Sequence, residues 1–158
     1  DPQIQQIVKS SPSPRLAFVA YRADYDSPFG GYRFYASHLT DLCSLIINDQ
    51  PLSIKSKKSG EAVTSIVNYP HLHGILHSTP DFSKPQIMFS TKYALDELTL
   101  DDEQCYFYGM RAFVQLIEKG EPDKQHLQRL ISSVNILNSV MRSLDSGDEI
   151  QMTDQYIY

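Results

Sequence analysis

Apolar and polar positions alternate along this chain in a way that predicts a mixed α/β protein. Asp1 to Pro14 is polar and ends in Ser-Ser-Pro-Ser-Pro, the pattern of a short amphipathic turn or a flexible lead-in rather than core. Arg15 to Tyr21 (RLAFVAY) is a continuous apolar run bounded by turn residues, the pattern of a buried strand. Ser27-Pro28 and Gly30-Gly31 break the chain, and Tyr32 to Tyr35 extends as a short strand. From Ser37 to Asn48, Leu39, Leu42, Cys43 and Ile46 recur at the period of a helix burying one face, which Asp49-Gln50-Pro51 ends.

Ser53 to Gly60 is polar and predicts a loop. Glu61 to Tyr69 (EAVTSIVNY) is β-branched and strand-like, and Pro70 turns it into HLHGILHS, so the two runs form a strand pair. Gln86 to Ser90 is a short strand, and Leu95 to Leu100 an irregular approach to a helix. That helix has Thr99 as N-cap and Asp102 three residues on, and stops at Gly120 and Pro122. Tyr106, Met110, Phe113 and Ile117 mark its buried stripe. A second helix from about Asp123 to Leu144 carries Leu127, Leu130, Ile131, Val134, Leu137, Met141 and Leu144 at helical spacing. Ser146 to Tyr158 is an acidic tail, with Tyr156 and Tyr158 placed to join an edge strand or stay unstructured.

At 158 residues the chain is one domain, or one lobe of a two-lobed protein. A formal charge of -5 argues against a protein whose main task is to grip a phosphate backbone. No apolar run approaches the roughly 18 residues needed to cross a bilayer, so no membrane partner is expected. Asp1 begins without a methionine or signal-peptide pattern, as in a processed or truncated chain. Cys43 and Cys105 are two buried thiols or one long-range disulfide.

Chemistry-bearing side chains concentrate between Leu45 and Phe82. His71, His73 and His77 fall at odd positions, so one strand would set all three on one face. His71 and His73 are the candidate metal ligands, although no acid stands at a matching ligand spacing. Lys55, Lys57 and Lys58 either are solvated or contact phosphate.

Two resemblances attach to these residues. Pro70-His71-Leu72-His73-Gly74 resembles the His-hydrophobe-His strand of replication-initiator nucleases. That likeness implies a divalent ion at His71 and His73, and a nucleophilic tyrosine at Tyr106 or Tyr108 on the following helix. More of the chain resembles the amino-terminal half of the DNase II family. Asn48-Asp49-Gln50-Pro51, a lysine-bearing segment ending in Ser59-Gly60, a strand, and His77-Ser78-Thr79-Pro80-Asp81-Phe82 follow in that family's order. Cys105 to Phe113 would match its cysteine-containing strand, against the helix that the periodicity predicts there.

The DNase II resemblance implies an α/β fold with a mixed sheet flanked by helices, similar to one lobe of the phospholipase D/DNase II fold, and a metal-free, cofactor-free site. Where the family has its His-x-Lys nucleophile motif, this chain has Glu61-Ala62-Val63. A carboxylate repels a phosphodiester and valine offers no donor. The expectation is a secreted, catalytically inactive DNase II-like protein, similar to excretory-secretory proteins of parasitic nematodes. It would act by binding a host protein or DNA, with a second lobe or a homodimer as further partners.

Overall fold

The computed structural model describes residues 4–6, 14–47, 49–120 and 124–152, and within the helix at 102–119 it leaves out the side chains of 102–106, 112 and 119. Seven strands form one sheet: β1 (Leu16–Arg22), β2 (Ser53–Ser59), β3 (Ala62–Asn68), β4 (His73–Thr79), β5 (Gln86–Ser90), β6 (Leu95–Thr99) and β7 (Ile150–Gln151). Their order is β6-β5-β1-β4-β3-β2-β7. β1 and β4 run parallel, and every other neighbouring pair is antiparallel. Helices α1 (Tyr32–Ile46) and α3 (Lys124–Ser146) pack on each other and on one face of the sheet; α2 (Asp102–Lys119) precedes α3. The mixed, helix-flanked α/β sheet is the predicted class.

β1, β3, β4 and β5 form where apolar alternation places them. Val19, Val63, Val67, Leu76, Ile87 and Phe89 turn to the helix side and are at most 2% exposed. Across the interface, α1 contributes Ala36, Leu39 and Cys43, and α3 contributes Ile136 and Val140. Gly74 is needed where β4 passes under α1. A Cβ there would stand 3.2 Å from both Ile47 Cδ1 and Tyr69 Cε2.

Four elements differ from the sequence expectation. Tyr32 to Tyr35 is the first turn of α1 rather than a strand. Gly30 (φ 102) and Gly31 (φ 64) occupy backbone that favours glycine and reverse the chain into the helix. The strand preference of the aromatics then yields to burial of Tyr32 and Ala36 at helical spacing. Ser53 to Ser59 is β2 rather than a loop. Its inward positions include Ser56, whose amide donates to Ser143 Oγ at 2.9 Å and whose hydroxyl donates to Ser65 Oγ at 2.8 Å. Serines satisfied in this way bury as well as valines do.

Leu95 to Thr99 is the edge strand β6, paired along its length with β5. Thr99 therefore ends a strand, and α2 begins at Asp102, so Thr99 is not the residue that caps it. The helix at 102–119 also excludes the cysteine-containing strand that the DNase II likeness placed at Cys105 to Phe113. In α3 the covered face is Ser132, Ser133, Ile136, Leu137, Ser139, Val140 and Ser143. Leu127, Leu130, Ile131 and Val134 of the expected stripe are exposed, while Leu137, Met141 and Leu144 pack. The polar-looking serine face wins because small side chains let α3 lie close on α1, where Thr40 Oγ1 meets Ser133 Oγ at 3.0 Å. β7 begins the acidic tail as a short edge strand; Tyr156 and Tyr158 lie outside the described residues.

Candidate functional site

The carboxyl ends of β1 and β4 lie side by side, with α1 starting over them, and in open α/β sheets ligands bind outside such strand ends. Tyr32, at the start of α1, shares a hydrogen bond with Ser78 of β4 at 3.0 Å. The Tyr25 ring lies 5.7 Å from the Tyr32 ring, and the Lys58 ammonium sits 3.8 Å above Tyr25. Asp26 is 3.6 Å from the same ammonium.

One turn and a half into α1, His38 is exposed and stands edge-on to the Tyr21 ring at 6.2 Å. Its place on the helix follows from its neighbours. Tyr32, Ala36, Leu39 and Cys43 face the sheet, while Arg33, Thr40 and Asp41 reach Asn138, Ser133 and Arg129 of α3. His38 lies on the remaining flank, above the end of β1. An exposed imidazole standing edge-on to an aromatic ring can reach a bound ligand as a hydrogen-bond donor or acceptor. Sequence reading passed over His38, since a single histidine in a helical stretch carries no motif. The preceding Gly30-Gly31 break was the available signal.

Burial beneath this site has a measurable consequence. Burial pushes the Tyr32 hydroxyl up from 10.0 to about 12, against the opposing hydrogen bond from Ser78, and the Cys43 thiol from 9.0 to about 11, against its contact with Tyr69. In the unfolded chain both groups ionise at lower pH than in the fold. The stability they carry is thus complete below about pH 9 and is lost between about pH 9 and 12. Urea midpoints measured across that range should fall by the equivalent of about 2–3 kcal/mol per group. Cys43→Ala should flatten the lower part of the decline and Tyr32→Phe the upper part. A profile unchanged by both would refute the assignment.

The residues that sequence reading selected do not assemble into one site. Asn48 lies outside the described residues; Asp49 and Gln50 are exposed after α1, and Pro51 is buried. Glu61 is exposed in the β2–β3 turn, whereas Val63 is 1% exposed and packs in the core. The three lysines diverge: Lys58 turns to the helix side against Tyr25, Lys55 reaches the Gly147 carbonyl, and Lys57 is exposed on the opposite face.

His73 and His77 share a face of β4, as strand spacing predicts, but His71 lies in the turn before it. His73 Nδ1 pairs with Asn68 Oδ1, and His77 Nδ1 with Thr64 Oγ1, both at 2.8 Å. The His77 ring also lies 6.3 Å from Phe18 and 5.8 Å from Phe82. Ser78 is buried under Tyr32, and Pro80 and Phe82 are half-buried in the loop that follows. Among the described residues no group of three or more His, Cys, Asp or Glu is placed to hold a metal ion. Tyr108 is half-buried on α2, while β4 packs against β1, β3 and α1. The side chains of Tyr106 and Cys105 are outside the described set, and Cys43 is a free, buried thiol.

Two further features stand out on the helix side. A polar cleft of about 180 Å³ opens between the end of α1 and the start of α3, lined by Ser44, Asp49, Gln50, Gln128 and Arg129 among others. The Arg129–Asp41 ion pair at 3.3 Å borders it. Exposed apolar side chains are also found on α2 and on the first half of α3. Phe107, Met110 and Ile117 are between 62% and 66% exposed, and Phe113, Leu127, Ile131 and Val134 join them. The sequence predicted Met110, Phe113 and Ile117 to be a buried stripe, and the described residues leave them exposed.

No protein-family model and no curated protein matches the sequence. Solved structures do match its fold. A probable dehydrogenase from Thermotoga maritima aligns at TM-score 0.75 and 11% identity, over 97% of this chain and 61% of its own. GenD2 from gentamicin A biosynthesis, in complex with NAD, gives 0.77 and 12%, over 96% and 60%. Myo-inositol dehydrogenase from Lactobacillus casei, in complex with NAD(H) and myo-inositol, gives 0.77 and 9%, over 97% and 59%. The chain thus spans about three fifths of these proteins' length. A dehydrogenase fold over nearly the whole chain overturns the DNase II likeness, with its phospholipase D lobe, nematode and deoxyribonuclease associations, and overturns the His-x-His nuclease as well. Both rested on short peptide matches, which a strand and a turn of any fold can supply.

Proposed function

We propose that this chain is the substrate-side domain of an NAD-linked dehydrogenase acting on a polyol or sugar-like alcohol, with His38 taking the alcohol's proton. What carries the reading is the fold match to dehydrogenases over 96–97% of the chain. The described residues themselves do not fit a dinucleotide. Dinucleotide sites of the doubly wound type need a parallel sheet and a Gly-x-Gly-x-x-Gly turn. Here one of six strand pairings is parallel, and the sequence contains no such glycine pattern. No hydride step is therefore placed on this chain's residues.

The reading assigns the cofactor to a separate nucleotide-binding domain, which accounts for the two fifths of the neighbours' length that this chain does not span. The exposed apolar residues of α2 are a fitting seat for it, since apolar side chains left uncovered at helical spacing mark interfaces. At the site, His38 accepts the hydroxyl proton, and the Tyr21 ring fixes the imidazole's orientation. Tyr25 and Lys58 at the rim offer donors to neighbouring hydroxyls of a polyol.

The test is an NAD-reduction assay of the polypeptide that carries this chain, against myo-inositol and a panel of other polyols. Cofactor reduction with at least one of them is expected, while calorimetry of the 158-residue chain alone should show no NAD binding. A folded polypeptide that reduces no cofactor with any polyol, or tight NAD binding by the chain alone, would overturn the reading.

A further inference from the structure

We propose that the polar cleft between the end of α1 and the start of α3 binds a free α-amino acid with an uncharged polar side chain. α1 starts beside the candidate active site at Tyr32 and reaches the cleft only at its far end, so the occupant is independent of the dehydrogenase reading. Buried polar groups in folded proteins almost always have hydrogen-bond partners. Among the described residues three buried side-chain atoms lack one: Ser44 Oγ, Asp41 Oδ1 and Arg129 Nε. All three stand at this cleft. Ser44 and Arg129 line it, and Asp41 holds Arg129 at 3.3 Å, a contact that pairs charges without forming a hydrogen bond. Ser44 is the telling member. A helical serine or threonine commonly turns its hydroxyl back to a carbonyl of the preceding turn, as Ser37 does to Phe34 and Thr40 to Ser37 on the same helix. Ser44 is 6% exposed and makes no such bond, which leaves its hydroxyl for a group that enters the cleft.

The chemistry of the two walls identifies the occupant's class. On the α1 side Asp49 Oδ1 accepts the Gln50 amide at 2.7 Å, which orients a carboxylate that has further lone pairs on both oxygens. On the α3 side Arg129 turns Nε to Asp41, and its two other nitrogens carry the rest of the guanidinium's donors. Among the described residues Asp49 has no ion-pair partner of its own. A carboxylate and a guanidinium on facing walls match a ligand that carries both an ammonium and a carboxylate. The ligand's ammonium goes to Asp49. Its carboxylate goes to Arg129 and to the Ser44 hydroxyl, which stands one helical turn beyond Asp41. Gln128 and Ser132 then meet the side chain with an amide and a hydroxyl, so a polar uncharged side chain fits where an aliphatic one would leave them unpaired. A sugar ring suits the cleft less, because among the described residues no aromatic side chain lines it to cover the ring's apolar face. The volume of about 180 Å³ equals that of roughly six waters at ~30 Å³ each, enough for one small amino acid.

Isothermal calorimetry of the polypeptide that carries this chain against L-serine, L-threonine, L-asparagine and L-glutamine tests this. Saturable binding of at least one is expected. Its carboxamide, which lacks the carboxylate, and its N-acetyl derivative, which lacks the ammonium, should each bind about tenfold more weakly or worse. Asp49→Asn, at an exposed position, should weaken binding by about the same factor. Ser44→Ala should weaken it too, yet raise the melting temperature of the ligand-free protein, because it removes a buried hydroxyl that only the ligand satisfies. A folded polypeptide that binds none of the four amino acids overturns the proposal. So does an affinity unchanged by both Asp49→Asn and Ser44→Ala, equal binding of the carboxamide and the N-acetyl derivative, or displacement of the amino acid by myo-inositol.

Discussion

On the proposed dehydrogenase reading, His38→Asn in the polypeptide that carries this chain is expected to lower turnover with polyols by about 10²–10⁴-fold, the range that a positioned acid–base side chain contributes. Because His38 is exposed and stands edge-on to Tyr21, the variant should keep the wild-type melting temperature. Asparagine preserves size and polarity but cannot take up a proton at neutral pH. The loss should therefore fall on kcat more than on KM. His73→Asn and His77→Asn are the controls. Both side chains lie on the opposite sheet face, paired with Asn68 and Thr64, and neither should change turnover more than about threefold. Turnover unaffected at His38, or abolished at His77, would move the site to the other face of the sheet.

Phe89→Ala is expected to cost about 3–5 kcal/mol of folding stability, the usual range for deleting a fully buried aromatic ring. Phe89 is 1% exposed on β5, beside Ala17, the small residue opposite it on β1. With alanine on both strands the ring's space would be lined by two methyl groups, and the sheet is too regular to collapse into it. Against a typical total of about 5–15 kcal/mol this is a large share. The melting temperature should fall by roughly 10 °C in a chain of this size. Phe107→Ala makes the comparison, since Phe107 is 66% exposed on α2 and its loss should cost no more than about 0.5 kcal/mol. Equal costs at the two positions, read from urea unfolding, would show that α2 is covered in solution and that the apolar face is not free for a partner.

Sequence alone determined the elements whose burial is written in apolar side chains. RLAFVAY became β1, EAVTSIVNY and HLHGILHS became the antiparallel β3–β4 pair, and the two long helices lie within a few residues of their predicted spans. Alternation also put His73 and His77 on one face. Each of these follows from local periodicity, because a strand or helix exposes one stripe to whatever covers it.

Tertiary structure decided what covers each stripe, which no local pattern carries. β2 hid in a polar segment because its inward serines find partners on β3 and α3, 9 and 87 residues away in sequence. α3 buried its serines and left its leading leucines exposed, since closeness to α1 outweighed apolar content over that stretch. The functional reading depended on the same long-range facts. Two short peptide matches pointed to nucleases, but Val63 faces the core and the lysines diverge. His38 became a candidate only once β1 and β4 were seen to run parallel, with their ends beneath α1. A side chain's type is local, whereas the company it keeps at the end of a strand depends on contacts from residues far along the chain.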